Sequence, residues 1–166
     1  MCAGDKVFYP SYGVVTIGEV TEKQILGRKC QCYVIKIASP QMNLIVPVEE
    51  AQAIGLRQII PCERVNDVMN ILQRETKEKD LNKPDSYHIK KVKSSNIFDI
   101  AESIRDLFCK NAQESLSGQG RRYLDKGLSI LGSEIACAKD INKGEAKKLI
   151  LDSCEEGLRK HRSSKK

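Results

Sequence analysis

Apolar residues recur at two different intervals in this chain, and the point where one interval gives way to the other limits what it can fold into. Up to about residue 47 the apolar and β-branched residues crowd into short runs with near alternation, as in Tyr33, Ile35 and Ile37 against Val34, Lys36 and Ala38. From Val48 onward they return every third or fourth residue. Alternation places side chains on the two faces of a strand, whereas the longer interval builds one stripe on a helix. Strands followed by helices in separate blocks predict an α+β fold.

In the first block, "DKVFYPSYGVVTIGEV" surrounds the turn signal Tyr9-Pro10-Ser11-Tyr12-Gly13, where proline fixes φ and glycine accepts a left-handed conformation. "EKQILGRK" predicts a hairpin with Gly27 at its turn, "CQCYVIKIA" a strand within 29–38, and "MNLIVPV" a shorter strand ended by Pro47. Short strands joined by tight turns imply a small, strongly bent sheet or a partly open barrel.

In the second block, "VEEAQAIG" opens with acidic residues and stops at Gly55, and "ERVNDVMNILQR" lines up Val65, Val68, Met69 and Leu72. The charged stretch "ETKEKDLNKPD" then predicts a boundary. Beyond it lie three long stripes. Ile97, Ile100, Ala101, Ile104, Leu107 and Phe108 follow Asn96 as N-cap; Leu124, Leu128, Leu131, Ile135 and Ala138 follow Ser117. Ala146, Leu149, Ile150, Cys154 and Leu158 follow Asn142, with Glu145 in capping-box spacing. Stripes of this kind need one another, so a compact bundle is expected. The resulting division is 1–74, a charged linker at 75–85, a helical domain at 86–158, and a disordered basic tail at 159–166.

Charge is distributed unevenly. Residues 1–75 hold 8 Lys+Arg against 8 Asp+Glu, and residues 76–166 hold 20 against 14, which accounts for the net +6. Such asymmetry points to nucleic acid or membrane. Five of those cations lie in the last eight residues, so the remaining signal is the cluster in "LNKPDSYHIKKVKSSN", with Lys83, Lys90, Lys91 and Lys93 around Tyr87 and His88. Arg121 and Arg122 open a later helix. These cations suit phosphate neutralisation, but on composition alone such charges are usually just a solvated surface. His88 is expected on that surface. No run approaches the ~18–20 apolar residues of a membrane span, and the opening residues lack a secretory pattern, so a cytoplasmic chain is expected.

Seven cysteines at irregular intervals do not read as a disulfide framework. Cys30 and Cys32 form a C-x-C pair whose sulfurs share one face of a strand. Free thiols are the expected state, with a metal site as the open alternative. Nucleotide-binding, zinc-protease and serine-hydrolase signatures are absent, and two histidines leave little for acid–base work. Neither enzyme chemistry, a cofactor nor a small-molecule substrate is expected.

"GDKVFYPSYGVVTIGEV", "YVIKIASPQMNLIVPVEEAQAIGLRQII" and "ERVNDVMNIL" resemble the N-terminal domain of CarD/CdnL transcription regulators, which is shared with the transcription-repair coupling factor. "DIAESIRDLF" and "LSGQGRRYLDKGLSILGSEIACA" resemble the helical domain of the CarD/CdnL branch. The resemblance implies a bacterial regulator whose Tudor-like N-terminal domain docks on the RNA polymerase β lobe. It further implies a helical domain that meets promoter DNA at the upstream edge of the bubble and stabilises the open complex.

By motif, the polymerase-contacting positions fall on Lys23, Ile25 and Ile45, the last an arginine in some relatives; sheet core is the competing role for both isoleucines. Relatives also carry a tryptophan that wedges into the minor groove. This chain has no tryptophan, and the matching region offers Leu81 or Tyr87. Lys83, Lys90, Lys91, Lys93, Arg121 and Arg122 are the expected phosphate contacts. Two alternatives stay open: a polymerase-binding adaptor with little DNA contact, and a general nucleic-acid binder driven by the tail.

Overall fold

The computed structural model describes residues 1–37, 42–113 and 116–164, and the chain divides into two compact units, Met1–Ile59 and Ile60–Lys166. The first unit is an antiparallel sheet of β1 (Lys6–Tyr9), β2 (Gly13–Ile25), β3 (Arg28–Lys36), β4 (Asn43–Pro47) and β5 (Arg57–Gln58), in the order β4-β3-β2-β1-β5. Ala38, which closes the predicted strand, lies outside the described residues. The β1–β2 turn is closed by the Tyr12 amide donating to the Tyr9 carbonyl at 3.1 Å, with Ser11 and Gly13 at φ 68° and 78°. One face of the sheet buries Val7, Val15, Ile17, Tyr33, Ile35 and Val46 against Ala51 and Leu56. The last two come from the segment after a single 3-10 turn, Val48–Glu50, so the helix expected from "VEEAQAIG" is one turn long.

A β-bulge decides what the other face carries. Ile17 pairs with Ile35, but Glu19 pairs with Val34, leaving Gly18 as the extra residue. A bulge shifts every later residue of the strand to the opposite face. Beyond Gly18, Thr21, Lys23 and Ile25 therefore lie on the outer face, paired with Cys32, Cys30 and Arg28.

The second unit is a bundle of α1 (Cys62–Leu72), α2 (Glu78–Leu81), α3 (Asp85–Val92), α4 (Ile97–Gln113), α5 (Gly118–Lys139) and α6 (Lys143–Ser163). Helix α4 supplies Ile100, Ala101, Ile104 and Leu107, none of them exposed, and α5 and α6 add Leu131, Ile135 and Ile150. The caps act as the sequence implies. Ser117 Oγ accepts from the Gly120 amide at 2.9 Å, and Asn142 Oδ1 from the Glu145 amide at 2.9 Å. The buried Glu134 carboxylate accepts from the Ile60 amide at 3.1 Å, tying the start of the unit to α5.

Three segments differ from the sequence expectation, each because apolar or hydrogen-bonding groups find partners within the bundle. Helix α1 belongs with the helices, since Val65, Val68 and Leu72 pack on them, so the division falls at 59/60 rather than 74/75. The charged stretch 75–85 is not a solvated linker: Thr76 is 2% exposed, and Leu81 is buried on α2. The expected tail continues as helix α6 to Ser163. There His161, 2% exposed, donates from Nδ1 to the Thr76 carbonyl at 2.7 Å and accepts at Nε2 from Gln113 Nε2 at 2.6 Å. Lys165 and Lys166 lie outside the described residues.

Among the described residues, no helix is long and apolar enough to cross a membrane.

Candidate functional site

Each unit carries one surface of interest. On the sheet, Lys23 and Ile25 share the outer face with Ile45, which pairs with Val34. All three predicted docking positions therefore lie on one face. Ile45 sits on β4, an edge of the sheet, and is 50% exposed, so it is not core; Ile25 is half-buried and Lys23 exposed.

The β2–β3 hairpin turns through Leu26 and Gly27, at φ 49° and 81°. Two positive φ values are what a tight hairpin turn demands, and asparagine–glycine is its preferred pair. Leucine at the first position costs about 1 kcal/mol, and here its side chain is 99% exposed. Strained backbone carrying a fully exposed large apolar residue makes Leu26 a candidate contact position that pattern reading missed. The available signal was the "ILG" tripeptide, where a turn residue is replaced by leucine. Leu26→Asn is expected to raise stability by about 1 kcal/mol while weakening whatever docks there, as read by thermal melting beside a binding titration. Behind the tip, Ile25, Leu26, Arg28, Cys30, Pro47, Glu49 and Glu50 line an open cavity of about 390 Å³.

On the bundle, the predicted cationic cluster separates into two parts. In the first, Lys83 Nζ bonds Asp80 at 2.7 Å and the Tyr87 hydroxyl at 3.1 Å, and lies 4.2 Å from the centre of the Tyr87 ring. Lys91 bonds Glu102 closely, reaches Asp99 at 3.3 Å, and lies 5.3 Å from the same ring centre. The Asp80 partnership raises the pKa of Lys83 and lowers that of Asp80. For Lys91 burial pulls downward, but hydrogen bonds to Glu102, Tyr87 and Asp99 carry it above its ordinary value. Both ammonium groups are thus neutralised by carboxylates of the same unit.

Neither predicted wedge is free. Leu81 is 8% exposed and forms part of the core, so inserting it between bases would empty its site. Tyr87 is half-buried, with two lysines on its ring. His88, expected on the surface, is 1% exposed. Its burial follows from helical spacing: with Val92 four residues on, it forms the inward stripe of α3.

The second part is open. Lys90, Lys93, Arg121 and Arg122 are exposed, and none forms an ion pair with the described residues. Lys93 Nζ lies 5.7 Å from the centre of the Tyr123 ring. Gly118, Gln119, Arg122, Tyr123 and Lys126 line a cavity of about 490 Å³ along the first turns of α5, whose opening turn has no acidic residue. Arg122, Lys126 and Lys93 thus present positive potential around an aromatic ring, while the N-cap of α5 is already engaged, Ser117 Oγ donating to the Asp85 carboxylate. Tyr123 and Lys126 were missed by the sequence reading; the i, i+4 spacing of Arg122 and Lys126 was their signal. No group of three or more metal-ligating side chains gathers among the described residues.

Residues 2–60 match the CarD-like/TRCF RID domain family, and residues 67–151 match the CarD, C-terminal domain family. YdeB of Bacillus subtilis (strain 168), a protein provisionally named a transcription factor, is 27% identical over 146 residues, covering 87% of this chain and 95% of that protein.

Proposed function

The chain belongs to the CarD family, a transcription regulator with a polymerase-interaction domain at its N-terminus, and from that premise we propose that it bridges the RNA polymerase β lobe and promoter DNA to stabilise the open complex. The observation that carries this reading is that one chain bears two surfaces of different chemistry on two units. The outer face of the sheet holds exposed Lys23 and Ile45 and half-buried Ile25, with exposed Leu26 at the hairpin tip and the β4 edge beside it. The other unit holds the Lys93–Tyr123–Arg122–Lys126 patch. Exposed strand edges and apolar side chains suit protein docking, and cations without a carboxylate partner suit phosphates. Such binding favours one state of the DNA without covalent chemistry.

Phosphate contact, rather than a side chain driven between bases, carries the DNA affinity. Lys93, Arg122 and Lys126 contribute most. Lys83 and Lys91 contribute little, because a phosphate would have to displace carboxylates already in place.

The test is an open-complex lifetime assay with wild type, Ile45→Asp, and the double variant Arg122→Glu/Lys126→Glu. Wild type is expected to lengthen the lifetime and both variants to lose that effect. Ile45→Asp should fail only in β-lobe binding. The double variant should fail only on duplex DNA, binding at least about tenfold more weakly, with the salt slope reduced by about two. A wild type without effect on the lifetime overturns the reading.

The buried Leu81 and the doubly covered Tyr87 favour one second reading, an adaptor that binds polymerase with little DNA contact. An unchanged DNA affinity in the double variant, together with intact β-lobe binding, would favour it. Removing residues 159–166 is no clean test of a tail-driven binder, because the deletion takes out the buried His161.

A further inference from the structure

We propose that Cys30 and Cys32 form a dithiol site on the outer face of the sheet, which low-molecular-weight disulfides convert to an intrastrand disulfide. The two residues are separated by one position on β3, so their side chains leave the strand on the same side. Their sulfurs are 3.6 Å apart, already in contact. A bond between them needs about 2 Å, a closure that rotation about the two Cα–Cβ bonds supplies. Two positions along a strand lie at the wide end of the Cα separations a disulfide spans, about 4.4–6.8 Å. Such a bridge is readily reduced again.

Access sets the order of events. Cys30 is half-buried and lines the open cavity behind the hairpin tip, whereas Cys32 is fully buried beneath it. A reagent entering the cavity meets Cys30 first. The Cys30 thiolate attacks one sulfur of the reagent, the reagent's S–S bond breaks, and one thiolate leaves. The Cys32 thiolate then attacks Cys30 Sγ, breaking the mixed disulfide and releasing the second. The two cysteines lose two electrons, the reagent gains them, and the two thiol protons pass through solvent to the departing thiolates.

Neighbouring groups restrain the first step. Burial, the hydrogen bond with Cys32, and the negative charge of Cys32, Glu49 and Glu50 push the Cys30 thiol above its ordinary value. Oxidation is therefore slow near neutrality and accelerates as pH rises. The thiol also points at the Lys23 carbonyl, 3.7 Å away, so the bridge withdraws a contact beside Lys23 and Ile25. If that face docks the polymerase as proposed above, oxidation alters docking.

The experiment exposes reduced full-length protein to oxidised glutathione, quenches with acid, alkylates and digests with trypsin. The peptide 30–36 holds both sulfurs and is expected two hydrogens lighter than its dithiol form and unalkylated, while the exposed Cys2 and Cys62 retain glutathione. Cys32→Ser should stop with glutathione on Cys30. The proposal is overturned if peptide 30–36 stays fully alkylatable, or keeps glutathione in wild type, once Cys2 and Cys62 have reacted. β-lobe binding is then compared between bridged and reduced protein. A change supports the link to docking; a bridge without a change overturns that link and leaves the dithiol site standing.

Discussion

Gly157→Ala is expected to destabilise the helical unit by about 2 kcal/mol, against the usual benefit of replacing a helical glycine. Alanine ordinarily gains about 1 kcal/mol at such a position. A Cβ built on Gly157, however, would lie 2.6 Å from the Leu72 carbonyl oxygen and 3.0 Å from that of Arg74. Both are backbone atoms at the end of α1, so no side chain can swing aside and α6 must move outward. Forced separation of packed elements costs about 1–3 kcal/mol, and this site lies at the upper end, because the shift also strains the bond from His161 to Thr76 one turn further along. Gly132→Ala is the matched control. Its Cβ would meet Ile150 Cδ1 at 3.8 Å, an ordinary contact, so it should stabilise by up to about 1 kcal/mol. Denaturant titration of both variants gives the comparison; equal effects would remove the steric account.

Acid should unfold this protein through His88. Ser103 Oγ donates its hydrogen to the His88 carbonyl at 3.3 Å, so the 3.4 Å contact with His88 Nδ1 needs the proton on that nitrogen. Nε2 is left buried without a hydrogen-bond partner among the described residues. Protonating it would place a charge in a buried site faced by Lys110, Lys83 and Lys91, with Asp85 as the opposing carboxylate. Burial, then Lys110, lowers the pKa from 6.5 to about 4. The unfolded chain binds the proton more readily, so stability from this group is full above pH 6.5 and is lost as pH falls from 6.5 to about 4. The loss is about 3 kcal/mol. His88→Asn should flatten that part of the stability–pH profile; a slope identical to wild type would show that other groups carry it.

Much of the fold was legible in the sequence because local rules and burial agree there. The caps Ser117 and Asn142, the hairpin at Gly27 and the stripes of α4 to α6 stand where spacing and capping chemistry put them, except that Leu149 of the α6 stripe is 40% exposed and not part of the buried face. The candidate site was less legible. A lysine reads as a free cation until its partners are known, and the partners of Lys91 lie on another helix, at Asp99 and Glu102. The charged stretch before α3 reads as solvated because its composition hides the single groups, Thr76 and Leu81, that the bundle buries.

By itself, then, the sequence determined the two blocks, their periodicities, most of their ends and, through wording shared with a family, the kind of protein. Only the tertiary structure decided which residues face outward. One extra residue at Gly18 reverses the facing of the rest of β2, so Ile25, which simple alternation from Ile17 would put in the core, lies beside Lys23 on the outer face. Likewise, the bundle buries Leu81 of α2 and pairs Lys91 of α3 with Asp99 and Glu102 of α4. Lys83 is held by Asp80 and Tyr87, and Lys93, Arg122 and Lys126 have no ion pair among the described residues. Facing beyond the bulge and the pairing of Lys91 depend on residues of other elements, which no local pattern encodes, whereas the Lys83–Asp80 pair lies within helical spacing.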